Sequence, residues 1–304
     1  MRVAFLTRMD DFGIGNHIKY LSSELIKLDV ESKIFSSKGN LRTNLIPLYK
    51  KKKLESFDVI HIQGTPYGGD ILKLDVPKVV TVHTLLKEEI KFEKKISFLL
   101  GQVFEERCLK NVDSIIVVNS CLLETLKKYP IPDDVNIDVI MNGVDVEEFD
   151  SIKTSKRCGI LYGGRKAKRK NYNVIRLAVK MTSLSSKTFG FDRYLNREDL
   201  VKLYKNSKMF VNASEYETGP TTVMEAMAAR CPVISKDVEG MVWAEGIYRS
   251  FSDFGGLVEE IKFLDENDEE CEKIANRAYN YVRKNLSWED VAKRTLEIYE
   301  KIQG

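Results

Sequence analysis

The alternation of its segments constrains this chain most. Short apolar runs are followed, from one end to the other, by amphipathic stretches of helical period. Residues 3–7 (V-A-F-L-T) read as a strand, and 16–28 as a helix with Ile18, Leu21, Leu25 and Leu28 on one face. Further strands are expected at 32–36, 59–63, 79–83, 115–119 and 138–141. A long helical stretch at 90–109, broken near Gly101, and a helix ending at Tyr129 lie between them. The second half reads as helix 171–181, strand 188–191, helix 197–206, strand 209–212 and a helix opened by Gly219-Pro220. Such alternation argues for an α/β chain of parallel sheets with helices on both faces. In open sheets of this kind ligands bind beyond the carboxyl ends of the strands. Gly13, Gly15, His61, His83, Asn142, Gly164 and Glu217 all follow expected strand ends.

A polar stretch at 150–157 (D-S-I-K-T-S-K-R) divides the pattern. The expected domains are residues 1–150, residues 151–285, and a final helix over 286–304. A chain of 304 residues is long enough for two cores, and its 43% hydrophobic content is that of a folded protein. A net charge of +3 with 31% charged residues is too balanced to call for nucleic acid. None of the five cysteines forms a C-x-x-C pair or sits at metal spacing from a histidine. Buried free thiols are expected, which fits a reducing compartment. The N-terminus reads as a first strand, not a signal peptide, and no stretch approaches the ~18 apolar residues of a membrane span. A cytoplasmic protein is the expectation, without a cofactor and without a metal site.

The segment N-A-S-E-Y-E-T-G-P-T-T-V-M-E-A-M-A (212–228) carries the chemistry. A strand runs into a polar loop, and Gly219-Pro220 opens a helix, with Pro suited to the first helical position. The N–H groups of Thr221, Thr222 and Val223 would form an anion site, most naturally for phosphate. Glu225, read in the first turn, can accept hydrogen bonds from vicinal hydroxyls such as those of a ribose. Glu217 lies across the loop. The competing reading is a solvated Glu217 and a helix-start acid at Glu225. A second segment, G-I-L-Y-G-G-R-K-A-K-R-K-N (159–171), ends a strand at Gly163-Gly164 and continues with Arg165 and Lys170. Glycines let backbone approach a ligand, while Arg and Lys bind phosphate oxygens. Lys166, Lys168 and Arg169 add charge without obvious order, so a basic surface loop is the alternative.

These residues resemble a retaining glycosyltransferase of family 4, glycosyltransferase group 1, with the GT-B fold. The family's G-R-(four residues)-K element is matched by Gly164-Arg165 to Lys170. Its second element is matched by Glu217-Thr218-Gly219-Pro220 to Glu225-Ala226-Met227-Ala228. Phe12-Gly13-Ile14-Gly15, Asp58-Val59-Ile60-His61, Thr81-Val82-His83-Thr84, D-S-I-I-V-V-N-S at 113–120, Asn142-Gly143-Val144-Asp145 and Ser287-Trp288 follow in the expected order. The resemblance implies two facing Rossmann-like parallel-sheet domains, with the C-terminal helix returning to the N-terminal one. It implies a retaining hexosyltransferase without an essential metal, using a UDP- or GDP-linked sugar and a glycan or lipid-linked acceptor. It places His83 at the reacting face, Arg165 and Lys170 on the diphosphate, Glu217 on the donor sugar and Glu225 on the ribose. Gly13 and Gly15 would face acceptor and phosphates. Gly164, Gly219, Pro220, Thr221 and Thr222 would complete the donor site.

The chain also departs from the family. Gln63 stands where many relatives carry a second histidine, Thr218 where a glycine is usual, and Arg230 where a glycine ends the A-M-A helix. The stretch 171–209 is short by one strand–helix unit. Rival readings are a non-catalytic nucleotide-sugar or glycan-binding protein, and an epimerase or phosphorylase on the same fold. A nicotinamide-dependent reading of the glycine loop fails on its missing third Gly. The basic stretches 48–53 and 87–100, interleaved with apolar residues, read either as solvated faces or as surfaces for peripheral docking on anionic membranes.

Overall fold

The computed structural model describes residues 1–7, 13–36, 51–64, 72–93, 96–191 and 195–304. In chain order the first half contains β1 (Arg2–Thr7), α1 (Ile14–Lys27), β2 (Glu31–Ser36), α2 (Lys51–Leu54), β3 (Val59–Gln63) and β4 (Lys78–Val82). It continues with α3 (Leu86–Phe92), α4 (Ile96–Lys110), β5 (Ser114–Val117), α5 (Cys121–Leu126) and β6 (Asn136–Val139). The second half contains α6 (Val146–Asp150), β7 (Ile160–Gly163), α7 (Tyr172–Thr182), β8 (Ser186–Phe189), α8 (Arg197–Lys205), β9 (Met209–Asn212) and α9 (Thr221–Ala228). β10 (Val233–Lys236), β11 (Arg249–Phe251), α10 (Phe254–Glu266), α11 (Asp268–Asn285) and α12 (Trp288–Gln303) complete it.

The chain forms two compact units, Met1–Gly143 with Trp288–Gly304, and Val144–Ser287. The division falls ahead of the polar stretch at 150–157, because α6 packs with the second unit. Phe149 of α6 is fully buried against the ring of Tyr204.

In the first unit six parallel strands run in the order β2-β1-β3-β4-β5-β6. Successive side chains on a strand point to opposite faces, and the two cores divide along that rule. Val3, Phe5, Val59 and Val79 bury one face against Ile18, Leu21 and Leu25 of α1 and Ala292, Ile298 and Tyr299 of α12. Ala4, Leu6, Ile60, Ile62, Val80 and Val82 bury the other with Cys108, Leu109, Leu122 and Leu126. The C-terminal helix thus returns to the first sheet.

In the second unit the order is β11-β10-β9-β7-β8, again all parallel. Both sheets share the doubly wound order that reverses direction beside its first strand. That switch point, between β1 and β3 and between β7 and β9, is where such sheets bind ligands. Among the described residues the second sheet ends at β8 on one side and at β11 on the other.

Some local expectations are corrected. Gly101 is buried inside α4, and the helical stretch is interrupted instead between Phe92 and Ile96. Pro220 occupies the N-cap of α9, not its first turn, so helical geometry begins at Thr221. Glu225 is then one full turn into the helix. Arg230 adopts the left-handed conformation expected after α9, with φ 54°. A non-glycine residue is strained there, and Arg230 is held by stacking 3.5 Å above the Tyr279 ring.

Candidate functional site

The residues expected on the donor side lie at the carboxyl ends of β7 and β9. The loop after β7 and the loop after β9 are tied together by backbone, Glu215 N–H donating to the Arg169 carbonyl at 2.8 Å. Across that tie Lys170 Nζ donates to Glu217 Oε1 at 2.5 Å. Arg169 Nη1 lies 3.3 Å from Glu217 Oε2 and donates to the Tyr216 carbonyl at 2.6 Å. Glu217 is only 3% exposed and Lys170 9%. Burial by itself would raise the Glu217 carboxyl, but Lys170 and Arg169 outweigh it and hold the group below its ordinary value. Glu217 is therefore an ionised carboxylate in a dry site. Around this core Lys236 pairs with Glu215 at 2.5 Å and Asn171 donates to the same carboxylate at 2.9 Å.

Arg169 did not stand out in the sequence, where it is one cation in a run of five. It is buried to 12% side-chain exposure and grips Glu217, whereas Arg165 is exposed. Gly240 is a second residue the motifs did not flag. A Cβ there would sit 1.9 Å from the Glu217 carbonyl oxygen, so only glycine lets that backbone lie against Glu217. The glycines after β7 also differ from expectation. Space beside Gly163 is filled by Phe189, and Gly190 lies against the Gly164 carbonyl, so these glycines let two strand ends approach each other. Gly164, at φ 118°, keeps ordinary contact distance to Thr222 and Tyr172, which brings the start of α9 beside the basic loop.

The expected row of free N–H groups on α9 is also corrected. Thr221 N–H donates to the Gly219 carbonyl at 2.8 Å, and Val223 N–H to the Pro220 carbonyl at 2.9 Å. The turn itself takes up these two donors, the Gly219 carbonyl the first and the Pro220 carbonyl the second. The Glu225 carboxylate faces α8, where Arg197 Nη1 and Tyr204 Oη hold its two oxygens, the latter at 3.1 Å. Arg197 also forks onto Glu148 of α6, with contacts of 2.6 to 2.9 Å, and lies 5.3 Å over the Phe149 ring.

In the first unit Gly13 is the N-cap of α1 and Gly15 is buried in its first turn; Phe12 lies outside the described residues. All three histidines of the chain lie near the carboxyl ends of β1, β3 and β4. His17 on α1 is buried, 3.0 Å from Asn142 Oδ1 and edge-on to His83 and Trp288. Burial lowers its pKa to about 4 against the pull of Asn142. His61, fully buried, contacts Tyr299 Oη at 2.5 Å and Thr81 Oγ1 at 2.7 Å. Burial and then His17 bring it down to about 3. His83 is partly exposed, and its Nε2 is 2.9 Å from Gln63 Oε1. Burial, with His17 and His61 nearby, lowers it well below the ordinary histidine value. Asn142-Gly143 is more than a turn: Asn142 anchors His17, and a Cβ at Gly143 would meet the Trp288 ring at 2.6 Å.

The described cysteines are free thiols, with Cys108, Cys231 and Cys271 buried and Cys158 exposed. Of the basic stretches, residues 48–50 and 94–95 lie outside the described residues. Among the described residues no helix is long and apolar enough to cross a membrane.

Residues 38–148 match the family Glycosyltransferase Family 4, and residues 183–281 match Glycosyl transferases group 1. An alpha-maltose-1-phosphate synthase of Mycobacterium tuberculosis is 22% identical over 99% of this chain and 100% of its own length. Among solved structures, the sucrose-phosphate synthase of Thermosynechococcus elongatus superposes with a TM-score of 0.77. Its identity is 16%, over 99% of this chain and 98% of that one. The HepE protein of Anabaena, solved with UDP and glucose, gives a TM-score of 0.75 at 14% identity, over 99% of this chain and 100% of that one.

Proposed function

We propose that this chain, which belongs to the GT-B glycosyltransferases of group 1, moves a hexosyl unit from a nucleotide diphosphate-sugar to an acceptor hydroxyl. In this reading transfer retains the anomeric configuration and needs no metal ion. The observation that carries it is the buried Glu217 carboxylate between Lys170 and Arg169, at the switch point of the second sheet. A buried ionised carboxylate suits the hydroxyls of a sugar, because each hydroxyl donates to it in a charge-assisted bond. Lys170 with the exposed Arg165 supplies positive charge where a diphosphate would leave. Stabilising that charge is the largest electrostatic task in such a transfer, and two side-chain cations can take it without a metal. Glu225, one turn into α9, is the acceptor for the ribose diol, with Arg197 and Tyr204 fixing its orientation.

His83 is the histidine we assign to the reacting face, and the acceptor is a hydroxyl of a glycan or lipid-linked saccharide. A UDP-linked donor is favoured by the likeness to HepE, whose structure was solved with UDP and glucose. The test is a thermal-shift panel of UDP, GDP and their hexose conjugates. A ligand at about 100 times its Kd adds roughly 2.7 kcal/mol to the unfolding free energy. The best donor is then incubated with acceptors in the presence of a chelator. Transfer that persists, with the product's anomeric proton showing the donor's configuration, supports the reading. Inversion, or complete loss restored by one metal, refutes that part of it.

A further inference from the structure

Gln63 stands two residues beyond His61 on β3, and the structure shows what its amide does there. Its two ends touch two different imidazoles. Gln63 Nε2 lies 3.1 Å from His61 Nε2, and Gln63 Oε1 lies 2.9 Å from His83 Nε2. An amide nitrogen only donates and an amide oxygen only accepts. His61 Nε2 must therefore be an unprotonated acceptor, which the Thr81 hydroxyl at 2.7 Å also uses. The proton of His61 is then on Nδ1, donated to Tyr299 Oη at 2.5 Å. At the other end His83 must carry its proton on Nε2 to donate to Gln63 Oε1. Gln63 is 2% exposed, and His61 and Tyr299 are fully buried. The chain of donors runs one way, from His83 through Gln63 and His61 to α12.

We infer that Gln63 is a positioning residue that holds His61 and His83 in opposite tautomers, giving His83 its Nε2–H form with Nδ1 as the acceptor atom. The consequence for transfer rests on the proposed place of His83 at the reacting face. A neutral ring of fixed tautomer presents a fixed donor and a fixed acceptor to what surrounds it, and a ring of the other tautomer reverses both. A histidine at position 63 would supply the same two contacts only by adopting one tautomer itself. The amide has its donor and acceptor built in.

With three histidines in the whole chain, the ring nitrogens are assignable. Long-range proton–nitrogen spectra of uniformly labelled protein, with His17→Gln and His61→Gln variants for assignment, read each tautomer directly. The expected result is Nδ1–H for His61 and Nε2–H for His83. Gln63→Leu should leave His61 held by Thr81 and Tyr299 but turn His83 into a tautomer mixture. It should lower kcat for sugar transfer by ~10-fold or more with little change in nucleotide affinity, the pattern of a misassigned imidazole. Gln63→Glu, which keeps an acceptor toward His83 and adds charge, should raise the pKa of His83 and move the acid limb of the rate profile upward.

An Nδ1–H His83 in the parent, or a Gln63→Leu protein whose His83 keeps a single Nε2–H tautomer, overturns the inference. So does a Gln63→Leu protein with scrambled tautomers and undiminished kcat. Should no nucleotide-sugar support transfer at all, the proposed activity fails, while the tautomers remain readable in the spectra.

Discussion

Lowering the pH should unfold the first unit through its histidines. His17 and His61 are held neutral by burial, with pKa values of about 4 and about 3 against an ordinary 6.5. No carboxylate appears among their described partners: His17 meets Asn142, His83 and Trp288, and His61 meets Phe5, Gln63, Thr81 and Tyr299. The unfolded chain therefore binds protons that the folded chain refuses, and stability falls as pH drops through 6.5 toward 4. At pH 5 an unfolded imidazole is 1.5 units below its pKa while both folded rings stay neutral. At 1.36 kcal/mol per unit, each contributes a loss of about 2 kcal/mol, and the two together about 4. A domain of ordinary stability has about 5–15 kcal/mol to lose.

The chain holds two tryptophans. Trp288 packs on Gly143 and His17 in the first unit, while Trp243 belongs to the second. A Trp243→Phe protein thus reports urea unfolding of the first unit alone by fluorescence. Midpoints are compared at pH 8 and pH 5, with and without His61→Gln. Carboxylate titration is common to both proteins and cancels in the difference. The variant should be less stable at pH 8 but lose about 2 kcal/mol less on acidification. Equal losses in the two proteins would show that His61 is not held neutral, and the burial argument would fail with it.

Four further substitutions have expected outcomes. Glu217→Gln should reduce transfer strongly yet bind the bare nucleotide diphosphate more tightly than the parent, as calorimetry can show, because Lys170 is released; Lys170→Met should weaken that binding and also cost about 3–5 kcal/mol of stability by leaving a buried carboxylate short of a partner. Gly240→Ala should destabilise the second unit by about 1–3 kcal/mol in urea unfolding, since its methyl group meets the Glu217 carbonyl; an unchanged midpoint would mean that this backbone yields easily. Arg197→Leu should reduce nucleotide affinity although Arg197 is assigned no contact with the donor, because Glu225 loses the cation that orients it; parent-like affinity would separate Glu225 from the ribose.

The alternating pattern made the parallel sheets and their strand ends legible, because one apolar run can bury both faces of a strand only between two helix layers; the returning helix was implied by the family resemblance alone. The basic loop and the Glu217 loop were legible as motifs. What escaped was set by contacts distant in sequence. Arg169 and Lys168 are neighbours in a basic run, and only the fold turns one inward and leaves the other in water. Gly240 lies 23 residues beyond Glu217, and its need to be glycine exists only once their backbones meet. The Glu225 environment was misread for a simpler reason. Counted from Pro220 or from Thr221, Glu225 already lies beyond the first turn, where it meets Arg197 of α8.

The same ion pair joins two tasks that the motifs suggest are separate. Glu217 can accept hydroxyls through both oxygens in charge-assisted bonds only while ionised, and burial alone would favour its protonated form. Lys170 and Arg169 keep it charged. The lysine proposed for the leaving diphosphate therefore also prepares the carboxylate proposed for the sugar. Lys170 is engaged with Glu217 at 2.5 Å, so a diphosphate would share it or draw it away. Drawing it away leaves Arg169 as the cation on Glu217, which explains why a second buried cation is needed beside the first. Exposed Arg165, Lys166 and Lys168 add positive potential over the same loop, enough to attract an anion without requiring each to touch it. Substitutions at Lys170, Arg169 and Glu217 will then not add, because each changes the charge that the other two must balance.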